Sequence, residues 1–476
     1  MPAGMFAGRC ATLDAWWIWP STIDSRGNSG TGGESVNPRQ SIHRVWQALR
    51  GDSLYPFYRE YLRQFEEGIP VDTTASELRR LLEHARANVP YYADLIPGGP
   101  LSDPFETIEQ MPLLTKEVIR HEFSRLQSAD IESRNWYFNT SGGSTGVPVR
   151  LVQDSAYAAR MSAVTLLFSH LAGRDFGQPE VRLWGSERDI LENGQGAGAW
   201  VRSQMSNTTT VNAFRMTREV MLDLIEMLNR RPPHLLLSYA QAAYEVAAFA
   251  ERQHIRVRPQ RAVMTSAGTL YPFMRETIER VFGCRAFNRY GSREVGDMAC
   301  EIPQCDGLWA APWGVHIEVL DDAGNPVPDG MEGELVVTLL TNYAMPLLRY
   351  RIGDRGALAA AGTGWQGEAA RVLQRVTGRT VDAFRLRDGT VIDGEYFTHL
   401  LYFRDWVSRF QIIQKDHTSI LVRIVRCEEQ PVDAERQITD GVRAVMGSRC
   451  RVEFEYCDQI EPAASGKYRY TISEVS

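Results

Sequence analysis

The sequence predicts an α/β fold, in which a large domain of parallel βαβ layers plus a β-rich subdomain precedes a small α+β domain. Two patterns carry this prediction. Short apolar strands alternate with apolar-periodic helices between residues 154 and 290, as in parallel sheets with helical crossovers. From Val315 onwards, strands separated by turns dominate. The chain of 476 residues is also too long for a single core.

The N-terminal part is predicted to be a disordered extension over residues 1–40. It contains the Gly/Ser-rich run STIDSRGNSGTGGESVNP, and its short apolar patch lacks the basic start of a signal peptide. Helical periodicity follows between residues 44 and 95. Thr115 is then placed to cap a short helix over Glu117–Phe123.

The alternating region resolves into individual strands and helices. The predicted strands are Val181–Trp184, His234–Tyr239, Ala262–Ser266 and Ala286–Tyr290. The predicted helices are Asp154–Ala172, Arg218–Asn229, Ala242–Gln253 and Tyr271–Phe282. Because ligands of such sheets bind beyond the carboxyl ends of the strands, we expect the functional site there.

The C-terminal third is predicted to be richer in strands. HIEVLD, GELVVTLL and the segment from Arg349 to Gly356 are strand patterns separated by Gly/Pro/Asn turns. Residues 380–476 combine the strand patterns FQIIQ, SILVRIV and RVEFEY with a helix over Val432–Met446. This mixture predicts a small α+β domain.

A glycine-rich run, NTSGGSTGVP over residues 139–148, lies between the strand patterns NWYF and VRLV. Glycines allow backbone N–H groups to approach an anion closely, and Ser and Thr hydroxyls add neutral donors, so the run suits a polyphosphate. It is not a Walker A loop, because no lysine follows Gly146. On composition alone, a flexible surface linker explains it equally well.

Further motifs follow this loop in a fixed order. They are YGSRE at Tyr290–Glu294, YRIGD at Tyr350–Asp354, Gly378-Arg379 and Gly466-Lys467. The series resembles that of adenylate-forming (AMP-binding) enzymes, particularly the phenylacetate–CoA ligase and CapK-like branch. The resemblance covers roughly residues 45–472 and rests on the order of the motifs, since each motif alone is less specific.

The resemblance implies a division of labour between domains. Residues 41–378 would form the large ATP- and acid-binding adenylation domain, and residues 379–476 would form a small mobile lid. The glycine-rich loop would hold the β- and γ-phosphates of ATP through Ser141, Gly142, Gly143, Ser144, Thr145 and Gly146.

The resemblance also assigns nucleotide-binding roles to the YGSRE and YRIGD motifs. Tyr290, followed by Gly291, would lie against the adenine, and Ser292 would donate to the α-phosphate. Glu294 would help to hold Mg²⁺, which prefers hard carboxylate oxygens. Asp354 would accept both ribose hydroxyls. Singly, these residues have ordinary explanations as strand-end, turn or surface positions.

Two residues near and beyond the domain boundary complete the implied catalytic set. Arg379 is placed to meet phosphate, for which a planar guanidinium suits better than an ammonium. Lys467 would bridge the α-phosphate and the substrate carboxylate. The family pattern Gly-Arg-x-Asp-Asp is incomplete here, because Val381 occupies the first acidic position and Asp382 the second. In the family, the domains rotate after adenylation and open a site for the thiol. The missing acid weakens this expectation for the present sequence.

The carboxylic acid is expected to bind between the glycine-rich loop and Glu294. Residues at predicted strand ends are the candidates for lining this pocket: Trp184, Ser238, Tyr239 and Ala267, with Gly268 on the nucleotide side. The aromatic members suit a flat aryl acid, and the ordinary alternative is that they pack in the core.

Composition narrows the classes of partner. A net charge of −7 argues against nucleic acid or an anionic membrane as the main partner, and no apolar run approaches the ~20 residues of a membrane span. The seven scattered cysteines fit a reducing cytoplasm. Cys300 and Cys305, with Cys284 nearby, resemble part of a zinc cluster found in some relatives, but buried reduced cysteines are the ordinary alternative.

These observations predict an ATP- and Mg²⁺-dependent ligase that forms an acyl-adenylate from a carboxylic acid, with an aromatic acid favoured. Coenzyme A is the leading acyl acceptor. An amine acceptor is the second hypothesis, motivated by Val381, and a non-catalytic nucleotide-binding protein is the third. The retention of both Glu294 and Lys467 counts against the third hypothesis. We expect a monomer or a homodimer.

Overall fold

The computed structural model describes residues 54–140, 149–185, 206–213, 216–268, 270–365, 369–377, 384–388, 390–392, 394–402, 404, 406–461 and 469–475. These residues belong to one compact unit, residues 37–476. The predicted extension over residues 1–40 lies outside the described residues. None of the described helices is long and apolar enough to cross a membrane.

The helices of the described residues agree with the predicted alternation. They are α1 (Leu54–Glu67), α2 (Thr73–Asn88), α3 (Pro104–Glu109), α4 (Lys116–His121), α5 (Ser155–Leu171), α6 (Arg218–Arg230), α7 (Ala240–Arg252), α8 (Pro272–Phe282), α9 (Gly394–Tyr402) and α10 (Ala434–Met446). Four begin at side-chain caps, in which an oxygen accepts a backbone N–H: Asp103 before α3, Thr115 before α4, Asp154 before α5 and Thr217 before α6.

The strands include every predicted strand of the alternating region. They are β1 (Trp136–Thr140), β2 (Arg150–Asp154), β3 (Glu180–Trp184), β4 (Thr208–Asn212), β5 (Leu235–Tyr239), β6 (Val263–Ser266), β7 (Ala286–Ser292), β8 (Gly296–Ile302), β9 (Cys305–Ala310), β10 (Val315–Leu320), β11 (Gly333–Leu339), β12 (Tyr350–Leu358), β13 (Val372–Thr377), β14 (Phe384–Arg385), β15 (Val391–Ile392), β16 (Val407–Asp416), β17 (Ser419–Arg426), β18 (Arg451–Tyr456) and β19 (Thr471–Ser473).

Among the described residues, one mixed sheet joins strands in the order β10-β11-β12-β13-β9-β8-β7-β6-β5-β3-β4. The run β4-β3-β5-β6-β7 is parallel, as the alternation of strands and helices predicts. The predicted β-rich part continues this sheet and begins at Gly296, earlier than the expected Val315. The reason is local: after β7 the chain turns back through Arg293–Val295 into antiparallel β8 instead of entering a helix.

Helices cover both faces of the parallel strands. On one face α5 buries Leu167 and Phe168 in the same apolar cluster as Leu237 and Met264. On the other face α6, α7 and α8 bury a second cluster, which includes Ile278. A strand covered on both faces has no side that faces solvent, so few of its residues need to be polar. This explains the near-continuous apolar run of β5.

The C-terminal residues form the predicted α+β arrangement. A sheet of order β18-β17-β16-β19 packs with α9 and α10 around its own apolar cluster. The rings of Phe384 and Phe397 stack within this cluster at 4.3 Å. Arg385 reaches from β14 to Glu245 on α7, with Nη2 2.8 Å from Oε1, so this region contacts the helical layer beside the main sheet.

Candidate functional site

The strands that flank the glycine-rich run form an antiparallel pair, from Trp136 opposite Asp154 to Thr140 opposite Arg150. The loop between these strands therefore follows their last residue pair, Thr140 and Arg150. Residues 141–148, which include the predicted phosphate-binding residues 141–146, lie outside the described residues, as do Arg379, Val381 and Lys467. Their roles stay predictions, while the base of the loop has a defined position.

Two buried or half-buried amides tie this base to the YGSRE segment. Asn139 donates from Nδ2 to the carbonyl oxygen of Arg293 at 2.9 Å and to Oε1 of Gln153 at 3.0 Å. Gln153 donates in turn from Nε2 to the carbonyl oxygen of Glu294 at 3.2 Å. Bonds from both strands of the hairpin thus hold the Arg293–Glu294 backbone beside Asn139 and Gln153, close to where the glycine-rich run begins.

Tyr290 and Asp354 come together although β8, β9 and β13 separate their strands in the sheet. The Tyr290 hydroxyl donates to Oδ2 of Asp354 at 2.9 Å. Neighbouring strands lie about 4.8 Å apart, so a flat sheet would hold these residues far beyond hydrogen-bond reach. The antiparallel half of the sheet must therefore curl, and this curl joins the YGSRE and YRIGD motifs.

Ser292 ends β7 and organises the turn that follows. Its Oγ accepts backbone N–H groups from Glu294 at 3.2 Å and Val295 at 3.4 Å. A serine hydroxyl has one proton to donate and two lone pairs to accept with. With the oxygen accepting within the turn, the hydroxyl proton stays available as a donor to a group outside it.

Gly291 stands where the structure has no room for a side chain. A Cβ at this position would lie 2.7 Å from the carbonyl oxygen of Gly296, which is backbone and cannot move alone. Gly291→Ala is therefore expected to lower the free energy of unfolding by about 1–3 kcal/mol, the usual cost of overpacking. Urea unfolding of the purified variant measures this change.

Gly268→Ala is the matched control for this prediction. A Cβ at Gly268 would meet its nearest atom, the Cβ of Ala240, at 3.9 Å, an ordinary van der Waals distance. The control should unfold within about 0.5 kcal/mol of the wild type. Equal stability of Gly291→Ala and Gly268→Ala would contradict the packing argument.

Glu294 is buried and faces a buried lysine that the sequence-based assignment of site residues did not include. Lys116 Nζ lies 3.9 Å from Glu294 Oε1, and both side chains are 6% exposed. Lysine is almost never buried without a charged partner. The segment PLLTK did indicate that Lys116 is unusual. This lysine directly follows the capping threonine, so it lies at a helix N-terminus, where a cation is disfavoured.

The predicted pocket residues lie at the carboxyl ends of the parallel strands. The rings of Trp184 and Tyr239 lie 4.4 Å apart, and the Tyr239 hydroxyl donates to the carbonyl oxygen of Gly185 at 2.7 Å. Ser238 is fully buried and donates to the carbonyl oxygen of Tyr239 at 2.8 Å. Ala267 adopts a φ of 57°, an uncommon left-handed conformation for a residue with a Cβ.

The cysteines near β8 are buried or half-buried thiols. Burial raises the pKa of Cys284 to about 12 and raises the pKa values of Cys300 and Cys305 from their ordinary value. Metals bind the thiolate, so these thiols would have to lose their protons to hold a metal. Within the ranges that the structure describes, no group of three or more His, Cys, Asp or Glu residues is arranged to hold a metal ion.

The surroundings of Glu294 are compatible with Mg²⁺ shared with a nucleotide. Mg²⁺ is commonly held by one or two carboxylates, with phosphate oxygens and water completing its octahedron. Glu294 supplies one hard carboxylate. Its separation of 3.9 Å from the Lys116 ammonium exceeds the ~2.8 Å of a direct charged hydrogen bond, so the carboxylate oxygens are not locked into one tight contact.

Comparison with known proteins shows what this chain is similar to. The model of the CapK C-terminal domain matches residues 385–474. Protein CapK of Staphylococcus aureus is 24% identical over 428 residues, covering 88% of this chain and 92% of CapK. The phenylacetate-coenzyme A ligase of Escherichia coli (strain K12) is 24% identical over 415 residues, covering 82% of this chain and 91% of the ligase.

This chain is a homologue of CapK and of the phenylacetate-coenzyme A ligases. The solved structure of 2-hydroxyisobutyryl-CoA ligase in complex with 2-HIB-AMP and CoA matches the fold of this CapK homologue with a TM-score of 0.53. That match has 17% identity and covers 84% of this chain and 89% of the ligase. The predicted fold class is confirmed: the CapK homologue has the α/β fold of adenylate-forming ligases.

Proposed function

We propose that this CapK homologue is an AMP-forming ligase that activates a carboxylic acid with ATP and Mg²⁺ and passes the acyl group to a nucleophile. An aromatic acid is the proposed substrate and coenzyme A the proposed acceptor. The homologous phenylacetate-coenzyme A ligases support an acid of this kind and this acceptor.

The convergence of distant motifs is the observation that carries the proposal. Tyr290 contacts Asp354 across 64 residues of chain at 2.9 Å, and the same β7 segment is bonded through Arg293 and Glu294 to the base of the glycine-rich loop. A nucleotide that spans adenine, ribose and triphosphate needs these groups side by side. A flexible linker at 141–146 would need no such attachment.

The proposed first step forms a mixed anhydride. A carboxylate oxygen of the acid attacks the α-phosphorus of ATP, the bond to the β-phosphate oxygen breaks, and pyrophosphate leaves with the electron pair. Backbone N–H groups of residues 141–146, Arg379 and Lys467 would stabilise the charge that develops on the phosphates. Mg²⁺ held by Glu294 would neutralise part of that charge when bound.

In the proposed second step, the acceptor attacks the acyl carbonyl carbon and AMP leaves. With coenzyme A the thiol sulfur forms a thioester and releases its proton. An amine acceptor, which would give an amide, remains the second proposal because Val381 replaces the first acidic residue of Gly-Arg-x-Asp-Asp. The loss of that acid would affect the domain arrangement in which the thiol reacts, and it would not affect the adenylation step.

A pyrophosphate-release assay over aryl and aliphatic acids, with and without coenzyme A, tests the proposal. We expect release that depends on one class of acid and becomes multi-turnover only with coenzyme A. Acid-dependent release that ignores coenzyme A and responds to an amine would favour the amide-forming proposal. ATP binding without release for any acid or acceptor would contradict the ligase assignment and favour the non-catalytic alternative.

A further inference from the structure

The Lys116–Glu294 pair places two opposite charges in a nearly water-free part of the site. Both side chains are 6% exposed, and their nearest charged atoms lie 3.9 Å apart. Removing Lys116 would leave the buried Glu294 carboxylate without its ammonium partner, which is destabilising.

The backbone of Lys116 is anchored to the strand that carries Asp354. Leu114 forms a parallel bridge with Tyr350, in which its N–H donates to the carbonyl oxygen of Arg349 at 2.9 Å and its own carbonyl oxygen accepts from Arg351 at 3.0 Å. Thr115 then caps α4, and Lys116 is the first residue of that helix. Lys116 thus joins the β12 strand to the carboxylate of Glu294.

A cation at a helix N-terminus is opposed by the helix dipole, so α4 does not account for the buried ammonium. Glu294 supplies a nearby opposite charge, which lowers the cost of burying the ammonium. At 3.9 Å the charges attract without the short contact of a direct hydrogen bond. A second cation can then approach the carboxylate without first breaking a tight pair.

We propose that Lys116 is a positioning residue of this site, whose ammonium supplies the counter-charge of Glu294 until Mg²⁺ arrives with the nucleotide. The inference rests on the proposed function, since it takes Glu294 as the Mg²⁺-binding carboxylate. Lys116 keeps the carboxylate at the turn after Ser292, beside the base of the glycine-rich loop. Bound Mg²⁺ would then compensate the charge of this carboxylate.

Thermal unfolding of the full chain tests this role without any turnover. Lys116→Met removes the ammonium, and in EDTA with the α,β-methylene analogue of ATP its Tm should fall by about 3–5 °C. Adding MgCl₂ should recover most of this loss, because Mg²⁺ replaces the missing charge. The Tm gain from Mg²⁺ should thus be larger in Lys116→Met than in the wild type, and absent in Lys116→Met/Glu294→Gln.

Arg174→Met is the matched control, because it removes the cation of another buried ion pair, Arg174–Glu180 at 2.7 Å. Mg²⁺ should not restore its Tm. An equal Mg²⁺ response in the wild type, Lys116→Met and Arg174→Met would overturn the inference. If Lys116→Met does not fold, Lys116→Arg decides: wild-type Tm and Mg²⁺ response support a charge role, and loss of both overturns it.

The pyrophosphate assay separates this inference from the proposed function. Acid-dependent release by the wild type, together with a Lys116→Met variant that Mg²⁺ does not restore, would overturn the role of Lys116 and leave the ligase proposal standing. If MgCl₂ restores the Tm of Lys116→Met but the wild type never releases pyrophosphate, the charge role of Lys116 is supported and the ligase proposal is contradicted.

Discussion

Replacing Lys467 by alanine should reduce acid-dependent pyrophosphate release by about 10²–10³-fold, the usual loss when one donor to developing negative charge is removed. The lysine is proposed to contact the α-phosphate and the acid carboxylate as they react, so ATP binding before the reaction should change little. Rapid-quench measurement of acyl-adenylate, beside equilibrium binding of ATP, separates the two quantities. Unaltered turnover would contradict the assignment of Lys467.

Lys415→Ala is the matched control for this prediction. Lys415 lies in the same C-terminal region and forms a solvent-exposed ion pair with Glu474, at 2.8 Å and with 41% of its side chain exposed. Exposed pairs contribute about 0–1 kcal/mol, so neither stability nor release should change measurably. A comparable loss of activity in both variants would indicate damage to the C-terminal region and not to a reacting group.

Replacing Asp354 by alanine should lower kcat/KM for ATP by about 10²-fold or more. In the proposed role its carboxylate accepts both ribose hydroxyls, and each hydrogen bond to a charged acceptor contributes roughly 1.5–3 kcal/mol. The variant also loses the partner of Tyr290, whose hydroxyl lies 2.9 Å from Oδ2. Steady-state kinetics of pyrophosphate release against ATP concentration measures the change.

Two milder variants calibrate the Asp354 result. Tyr290→Phe removes the hydroxyl that donates to Asp354 and keeps the ring, so it should cost no more than about tenfold in kcat/KM. Asp322→Ala removes a carboxylate that is 94% exposed, and it should leave kcat/KM within about twofold of the wild type. If Asp354→Ala is as active as Asp322→Ala, Asp354 does not bind the ribose.

Local patterns predicted most of the parallel half of the fold. The structure has the predicted strands β3, β5, β6 and β7 and the helices between them. These elements could be predicted because the spacing of apolar residues and the capping of helix ends depend on residues that are close in sequence. Thr115 caps its helix as expected, and Thr217 caps α6 in the same way. The short helix after Thr115 was predicted to reach Phe123 and instead ends at His121.

Features that depend on residues far apart in sequence could not be predicted from these local patterns. The strand over Thr208–Asn212 carries few apolar residues and joins the sheet through its pairing with β3. The antiparallel half was predicted to begin at Val315, but it begins at Gly296, because β7 turns back through Arg293–Val295 and pairs with β8. Lys116 looked like an ordinary helix residue until its partner, 178 positions away, was known.

The fold class, the order of elements and the motifs that resemble those of adenylate-forming enzymes could be predicted from the sequence, because they depend on residue type and local spacing. The folded chain was needed to show that Tyr290 meets Asp354, that Asn139 and Gln153 hold the Glu294 segment, and that Lys116 lies beside Glu294. These contacts depend on the curl of the long sheet and on which charges are buried together. Both are properties of the packed chain that no local pattern encodes.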